Sequence, residues 1–334
     1  MTKQSTGKSI WVLEVQPKYL AKNVARTVIL FVGIVFLMAC GKNVVAFPTP
    51  TIEASFNPMS TLVIQEPSQY EVTEVIIALA TSDLAVGSNR ISFGIIQKGG
   101  GAVQDGDVHV STFYLGGGSQ VGPIEYVDAE FRPWPAGTGG VFVIFTNFDK
   151  PGDWGLGVTV SNGGVVRKQG SIRIRVKDRS SAPGVGVMAP RSLNKTIADV
   201  DRLSQLTTDI DPDPELYEMT IAEALETGKP VVVVFSTPLY CKTATCGPQL
   251  DVVKAIKEKY PNVVNFIHVE VYDNPEEIEG DLERAEISPT LLEWGLLSEP
   301  WVFVVTEDGE VSFRFEGFVD REELEAALQA VLSS

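Results

Sequence analysis

The stretch Lys229 to Cys246, KPVVVVFSTPLYCKTATC, decides how the second half of the chain folds. Val231-Val232-Val233-Val234-Phe235 is continuously apolar and rich in β-branched residues, the pattern of a strand buried on both faces at the centre of a parallel sheet. A loop holding Cys241 and Cys246 follows, and from Leu250 to Tyr260 the apolar period is helical, with Pro248 tolerated in a first turn. Working outward, a helix is expected at Thr220 to Glu226, a strand at Val263 to Val271 and an acidic helical stretch at Glu276 to Ala285. Strands Val302 to Val305 and Val311 to Phe315 then flank a turn at Asp308-Gly309, and a helix from Glu322 to Leu332 closes the chain. Alternating strands and helices ending in a hairpin and a helix predict an α/β sheet covered on both faces.

Upstream the pattern changes. Short β-branched and aromatic runs recur between Gly, Asp, Asn and Pro: Leu62 to Gln65, Val72 to Leu79, Ile91 to Gln97, Val108 to Leu115, Ile124 to Phe131, Val141 to Phe145, Trp154 to Val160 and Ser171 to Val176. Apolar and polar residues alternate from Val108 to Phe113 and from Ile172 to Val176, so an all-β, two-sheet sandwich is expected. Trp154 reads as a core aromatic and His109 as a surface side chain. No catalytic constellation is evident in this half.

Charge divides the chain the same way. The 334 residues carry 27 basic and 43 acidic side chains. Residues 40–192 hold 12 basic and 13 acidic ones, and residues 193–334 hold 10 and 29. A composition break this sharp marks a domain boundary, and the Pro/Gly/Ser-rich stretch Ser180 to Ser192 reads as a linker. The negative field repels phosphate, so no nucleic-acid partner is expected. The acidic runs Asp209 to Glu215 and Glu276 to Glu286 lack the Gly and terminal Glu of an EF-hand loop and read as solvated surface.

The N-terminus reads as a leader. Lys3, Lys8, Lys18, Lys22 and Arg26 precede the uncharged run Thr27 to Ala39, which is short for a span of roughly 20 residues. Leu37-Met38-Ala39-Cys40-Gly41 resembles a bacterial lipobox, which implies cleavage before Cys40 and lipidation of its thiol. The alternative, an uncleaved anchor continuing through Val44 to Phe47, is interrupted by Lys42 and Asn43. Either reading places the bulk of the chain at the cell membrane, facing the extracytoplasmic side. The expected organisation is a signal peptide at 1–39, a tether at 40–58, a β-sandwich at 59–179, a linker at 180–215 and an α/β domain at 216–334.

With these segments in place, two resemblances follow. The Arg90-Ile91-Ser92-Phe93-Gly94 strand start and the Pro151 to Leu156 corner make the first domain resemble extracytoplasmic immunoglobulin-like domains of the YtkA or FixH kind. From Leu216 to Leu332 the chain resembles the thioredoxin superfamily, through Lys229 to Cys246, Val269 to Pro275 and Trp294 to Gly317. That resemblance implies a redox disulfide between Cys241 and Cys246, with no other cofactor, and a cis Pro300 facing the cysteine loop. Protein thiols and disulfides would be its substrates, together with a redox partner.

The cysteine spacing departs from the family. Four residues separate Cys241 from Cys246 where thioredoxins have two; the spacing matches one peroxiredoxin subgroup, and Cys246-Gly247-Pro248 is similar to the second cysteine of copper-delivering SCO proteins. Residues five apart in a regular helix stand about 7.5 Å apart along its axis, beyond the roughly 7 Å a disulfide spans. An oxidised pair therefore needs Cys241 on the loop and Cys246 at or just before the helix start. Helix proximity favours Cys246 as the activated thiol; the resemblance favours Cys241 as nucleophile with Cys246 resolving, and we adopt the latter. Val234 stands where thioredoxins place a buried acid, so proton transfer needs another group. His268 and Glu270 share a face of the next strand and are candidates for base and orienter, against the reading of His268 as a hydrogen-bonded core residue. A peroxidase motif would need Pro and Thr at positions occupied by Val234 and Pro238. A thiol-disulfide oxidoreductase is the leading reading; the alternatives are a Cu(I) metallochaperone using Cys241, Cys246 and His268, and a redox-inert module with a structural disulfide.

Overall fold

The computed structural model describes residues 71–134, 139–241 and 245–334. The leader, Cys40, the tether and the expected strand Leu62 to Gln65 lie outside the described residues. So do positions 242–244 of the cysteine loop.

The first half consists of strands β1 (Thr73–Leu79), β2 (Gly87–Gln97), β3 (Ala102–Val103), β4 (Asp107–Tyr114), β5 (Val121–Pro133), β6 (Gly140–Phe148), β7 (Gly152–Asn162) and β8 (Val165–Val176). Their order is β1-β8-β7-β4-β5-β6-β2-β3, and β1 also pairs with β2. Strand β1 makes the closure by switching partners, with Thr73 and Glu74 beside β8 and Val75 to Leu79 beside β2. Strand β5 switches likewise from β4 to β6. The result is a strand-rich, barrel-like sheet around Ile91, Phe93, Val110, Phe148 and Trp154, all fully buried. Alternation explains the inward set: β7 buries Trp154, Leu156, Val158 and Val160 and turns the intervening residues outward. His109 lies outside and meets Asp128 at 2.6 Å.

The second half has strands β9 (Val231–Ser236), β10 (Asn265–Glu270), β11 (Trp301–Val305) and β12 (Val311–Glu316), and helices α1 (Ile221–Glu226), α2 (Cys246–Lys257), α3 (Pro289–Glu293) and α4 (Arg321–Leu332). The sheet order is β10-β9-β11-β12, with β9 parallel to β10 and antiparallel to β11. Every residue of β9 is buried, because α2 and α4 cover one face while α1, α3 and residues 182–189 cover the other. A capping box at Thr220 and Glu223 starts α1, and Asp320 caps α4. Gly309 takes the φ of +86° that the β11–β12 turn demands.

Two expectations change, and one helix goes unforeseen. The acidic stretch Glu276 to Ala285 is not a helix but two short 3-10 turns, 275–277 and 282–284. Its acids repel one another along any helix, and its apolar residues Ile278 and Leu282 are too few to anchor one. Helix α3, five residues long, was too short to show a period. Residues 180–215, expected as a linker, are packed: Val187 and Gly186 exchange backbone bonds with Val311, Ala182 and Ala189 are buried, and Lys254 and Lys257 hold Asp209 and Asp213 onto α2.

The two halves form one unit. Asp83, from the β1–β2 connection, meets Arg314 of β12 at 3.1 Å and Lys177 at 2.9 Å. Arg90 makes a two-pronged contact with Glu323, at 2.7 and 2.8 Å, and Arg132 reaches Asp320. Trp134 packs on the core beneath α2 and α4. Among the described residues no helix is long and apolar enough to cross a membrane.

Candidate functional site

The cysteine loop leaves the C-terminal end of β9, where the parallel pair β9–β10 and the start of β11 converge. Cys241 and Cys246 are joined as a disulfide, with Cα atoms 5.9 Å apart. Cys246 is the first residue of α2 and is fully buried, while Cys241 precedes the helix and is partly exposed. The backbone N–H of Cys246 donates to Cys241 Sγ at 3.3 Å. Thus an N–H at the positive end of the helix reaches the sulfur outside it as well as the one at its first residue. Thr245, at the cap position, gives that N-terminus no side-chain cap.

Pro300 follows a cis peptide bond and is buried. Trp301 pairs with Phe235 in the β9–β11 register, so Pro300 lies beside Ser236, where the chain turns into the cysteine loop. On the other flank Tyr240 contacts Tyr272, with ring centroids 6.3 Å apart, and its hydroxyl accepts the Gly280 N–H. The acidic segment 275–286 therefore borders the disulfide loop.

His268 pairs in register with Val234, beside the strand position where an acid was absent. It is 2% exposed, and both ring nitrogens are engaged: Nε2 with the Ser236 carbonyl at 3.1 Å and hydroxyl at 2.9 Å, Nδ1 with the Tyr217 hydroxyl at 2.6 Å. A carbonyl only accepts, so Nε2 carries the proton and Nδ1 accepts from Tyr217. Burial pushes the imidazole down to about 4. It is neutral at ordinary pH, and both ring nitrogens are already hydrogen-bonded. Among the described residues no group of three or more His, Cys, Asp or Glu side chains is placed to hold a metal.

Glu270 behaves differently. It lies at the end of β10, and burial pushes its carboxyl up to about 7 despite the bonds it accepts. Thr208 donates to Oε2 through its N–H, at 2.8 Å, and its hydroxyl, at 2.9 Å; the Val271 N–H reaches Oε1 at 3.0 Å. The Thr208 hydroxyl in turn accepts the Leu239 N–H at 3.1 Å, linking the carboxyl to the cysteine loop. Glu270 and His268 also line a cavity of about 220 Å³. A larger cleft, about 920 Å³, lies at the junction of the two halves and holds neither cysteine. Thr208 carried no signal in the sequence, because it comes from a segment that reads as linker.

Residues 217–332 match the family model described as a thioredoxin-like domain. The second half is accordingly a thioredoxin-like domain, with the disulfide at the helix N-terminus and a cis-proline beside Ser236 at the end of β9. Among solved structures, the chain is similar to a thiol:disulfide interchange protein of the thioredoxin family from Chlorobium tepidum (16% identity, 40% of this chain and 99% of that one, TM-score 0.28). It is similar also to StoA from Bacillus subtilis (17%, 36% and 93%, TM-score 0.27) and to a thiol-disulfide isomerase from Corynebacterium glutamicum (18%, 40% and 99%, TM-score 0.29). No curated protein matches the chain.

Proposed function

We propose that the protein is a thiol-disulfide oxidoreductase acting on protein thiols, held at the extracytoplasmic face of the membrane by a lipid on Cys40, with an immunoglobulin-like first domain. The observation that carries the redox reading is the asymmetry of the pair: Cys241 is reachable and receives the helix N–H, while Cys246 is buried behind it. A substrate thiolate attacks Cys241 Sγ, the Cys241–Cys246 bond breaks, and Cys246 leaves as a thiolate. A second substrate thiolate then attacks the substrate sulfur of the mixed disulfide, forming the substrate disulfide and releasing Cys241 as a thiolate that the N–H stabilises. The reverse sequence reduces a substrate disulfide. Glu270 is the group beneath this loop that holds or releases a proton near neutral pH, a role that His268 does not share.

Two measurements test this. Cys246→Ser is expected to trap mixed disulfides with protein thiols and Cys241→Ser to trap none. The Cys241/Cys246 reduction potential is expected in the range of exchange catalysts; a value below about −300 mV would make the bridge structural and end the proposal.

A further inference from the structure

Glu316 closes β12 opposite Trp301 and is 7% exposed. Its carboxylate accepts from the Ser82 N–H at 2.9 Å, the Ser82 hydroxyl at 2.5 Å, the Asp83 N–H at 2.8 Å and the Ser298 hydroxyl at 2.6 Å. The Ser298 oxygen in turn accepts the Trp301 indole N–H at 3.1 Å. Ser298 lies two residues before Pro300 and Trp301 one after it, and the next residue along, Gly317, donates its N–H to the Pro300 carbonyl at 2.9 Å. One carboxylate therefore ties both flanks of the cis-proline loop. Three of its four donors come from the first domain, 233 or 234 residues away in sequence.

A buried carboxylate is stable only while its lone pairs are occupied. With Ser82 and Asp83 withdrawn, Glu316 would keep Ser298 alone; turning to water would then release Ser298 and the indole it orients. The donors are themselves held in place: the Asp83 side chain is anchored on Arg314, two residues before Glu316 on the same strand. We propose that Glu316 is a positioning residue for the Pro300 loop, and that the first domain is a working part of the exchange site because it supplies the donors that fix Glu316. The proposal rests on the reading that the Pro300 loop borders the site where substrate disulfides are exchanged.

The test uses the full chain carrying Glu316→Gln, in which at least one donor meets an amide NH₂, or the milder Ser82→Ala. Glu323→Gln, which loosens the separate Arg90 contact, is the control. Hydrogen exchange at the Gly317 amide and the Trp301 indole should quicken at least tenfold in Glu316→Gln and about threefold in Ser82→Ala, and should not change in the control. With a disulfide-bonded peptide as substrate, KM should rise at least threefold in Glu316→Gln while kcat and the Cys241/Cys246 potential stay put. Unchanged protection in both variants, or equal loosening in the Glu323 control, overturns the link whether or not the protein exchanges disulfides. Failure of the wild type to exchange disulfides sinks the exchange reading instead, and with it the role of Glu316 in exchange.

Discussion

Asp83 and Glu270 are carboxyls of nearly equal exposure, 4% and 5%, yet one ionises at about 2 and the other at about 7. Burial pushes both upward, and more strongly at Glu270, which is the more deeply enclosed of the two. At the domain junction that push is outweighed by bonds to Asp83 from Ser180, Lys177 and the Ser181 N–H, with the charge of Arg314 beside them. Under the cysteine loop Glu270 accepts neutral donors only, and burial prevails. Surface exposure alone therefore does not predict the charge of a carboxyl. A cation converts a buried acid into a fixed strut, and its absence leaves one that titrates where thiol chemistry runs.

The largest effect is expected from Asp83→Ala, which strands Arg314 and Lys177 at the junction. Loss of about 3 kcal/mol in denaturant unfolding is expected, and a change under 1 kcal/mol would remove the strut from the comparison. In the wild type the Asp83 contribution is present above pH 4, because its folded value lies below the unfolded one, and is lost as pH falls toward 2.

Next in size are two opposed pH slopes. Glu270 is raised, so its contribution is present below its ordinary value of 4.5 and is lost as pH rises through about 7. His268 is lowered, so its contribution is absent near pH 4 and grows up to its ordinary 6.5. Over the shared window the two nearly cancel. Glu270→Gln should expose a rise in stability with pH of about 1.4 kcal/mol per unit at its steepest, and His268→Asn a fall of the same size. Chemical denaturation from pH 4 to 8 checks both, and parallel curves for wild type and Glu270→Gln would contradict the assignment of Glu270.

The smallest effect sharpens the contrast. Thr208→Val removes a hydroxyl donor from Glu270 and an acceptor from the Leu239 N–H, and is expected to cost about 1–2 kcal/mol. It should also move the Glu270 transition above 7, read by carboxyl infrared absorption. A downward move would mean that burial is not what raises it.

Much of this was legible in the sequence because it is local. The run Val231 to Phe235 needs cover on both faces whatever surrounds it, and the Cys241–Cys246 spacing forbids one unbroken helix through both. The alternation in β4 and β8 likewise marks one face of each as inward. Segments 180–215 and 276–285 were misread for one reason: polar, Gly/Pro-rich or acidic composition does not reveal that a chain is held by partners distant in sequence. Asp209 and Asp213 look like solvated surface until Lys254 and Lys257 face them.

The sequence by itself determined the apolar periods, the turn glycines and the two sulfurs, since each follows from the chemistry of neighbouring residues. Only the tertiary structure decided that the Cys246 N–H meets Cys241 Sγ, that His268 bonds Tyr217 and Ser236, and that Ser82 bonds Glu316 beside the cis-proline strand. Charge state and hydrogen-bond satisfaction depend on which groups meet across hundreds of residues, and no local pattern encodes that meeting.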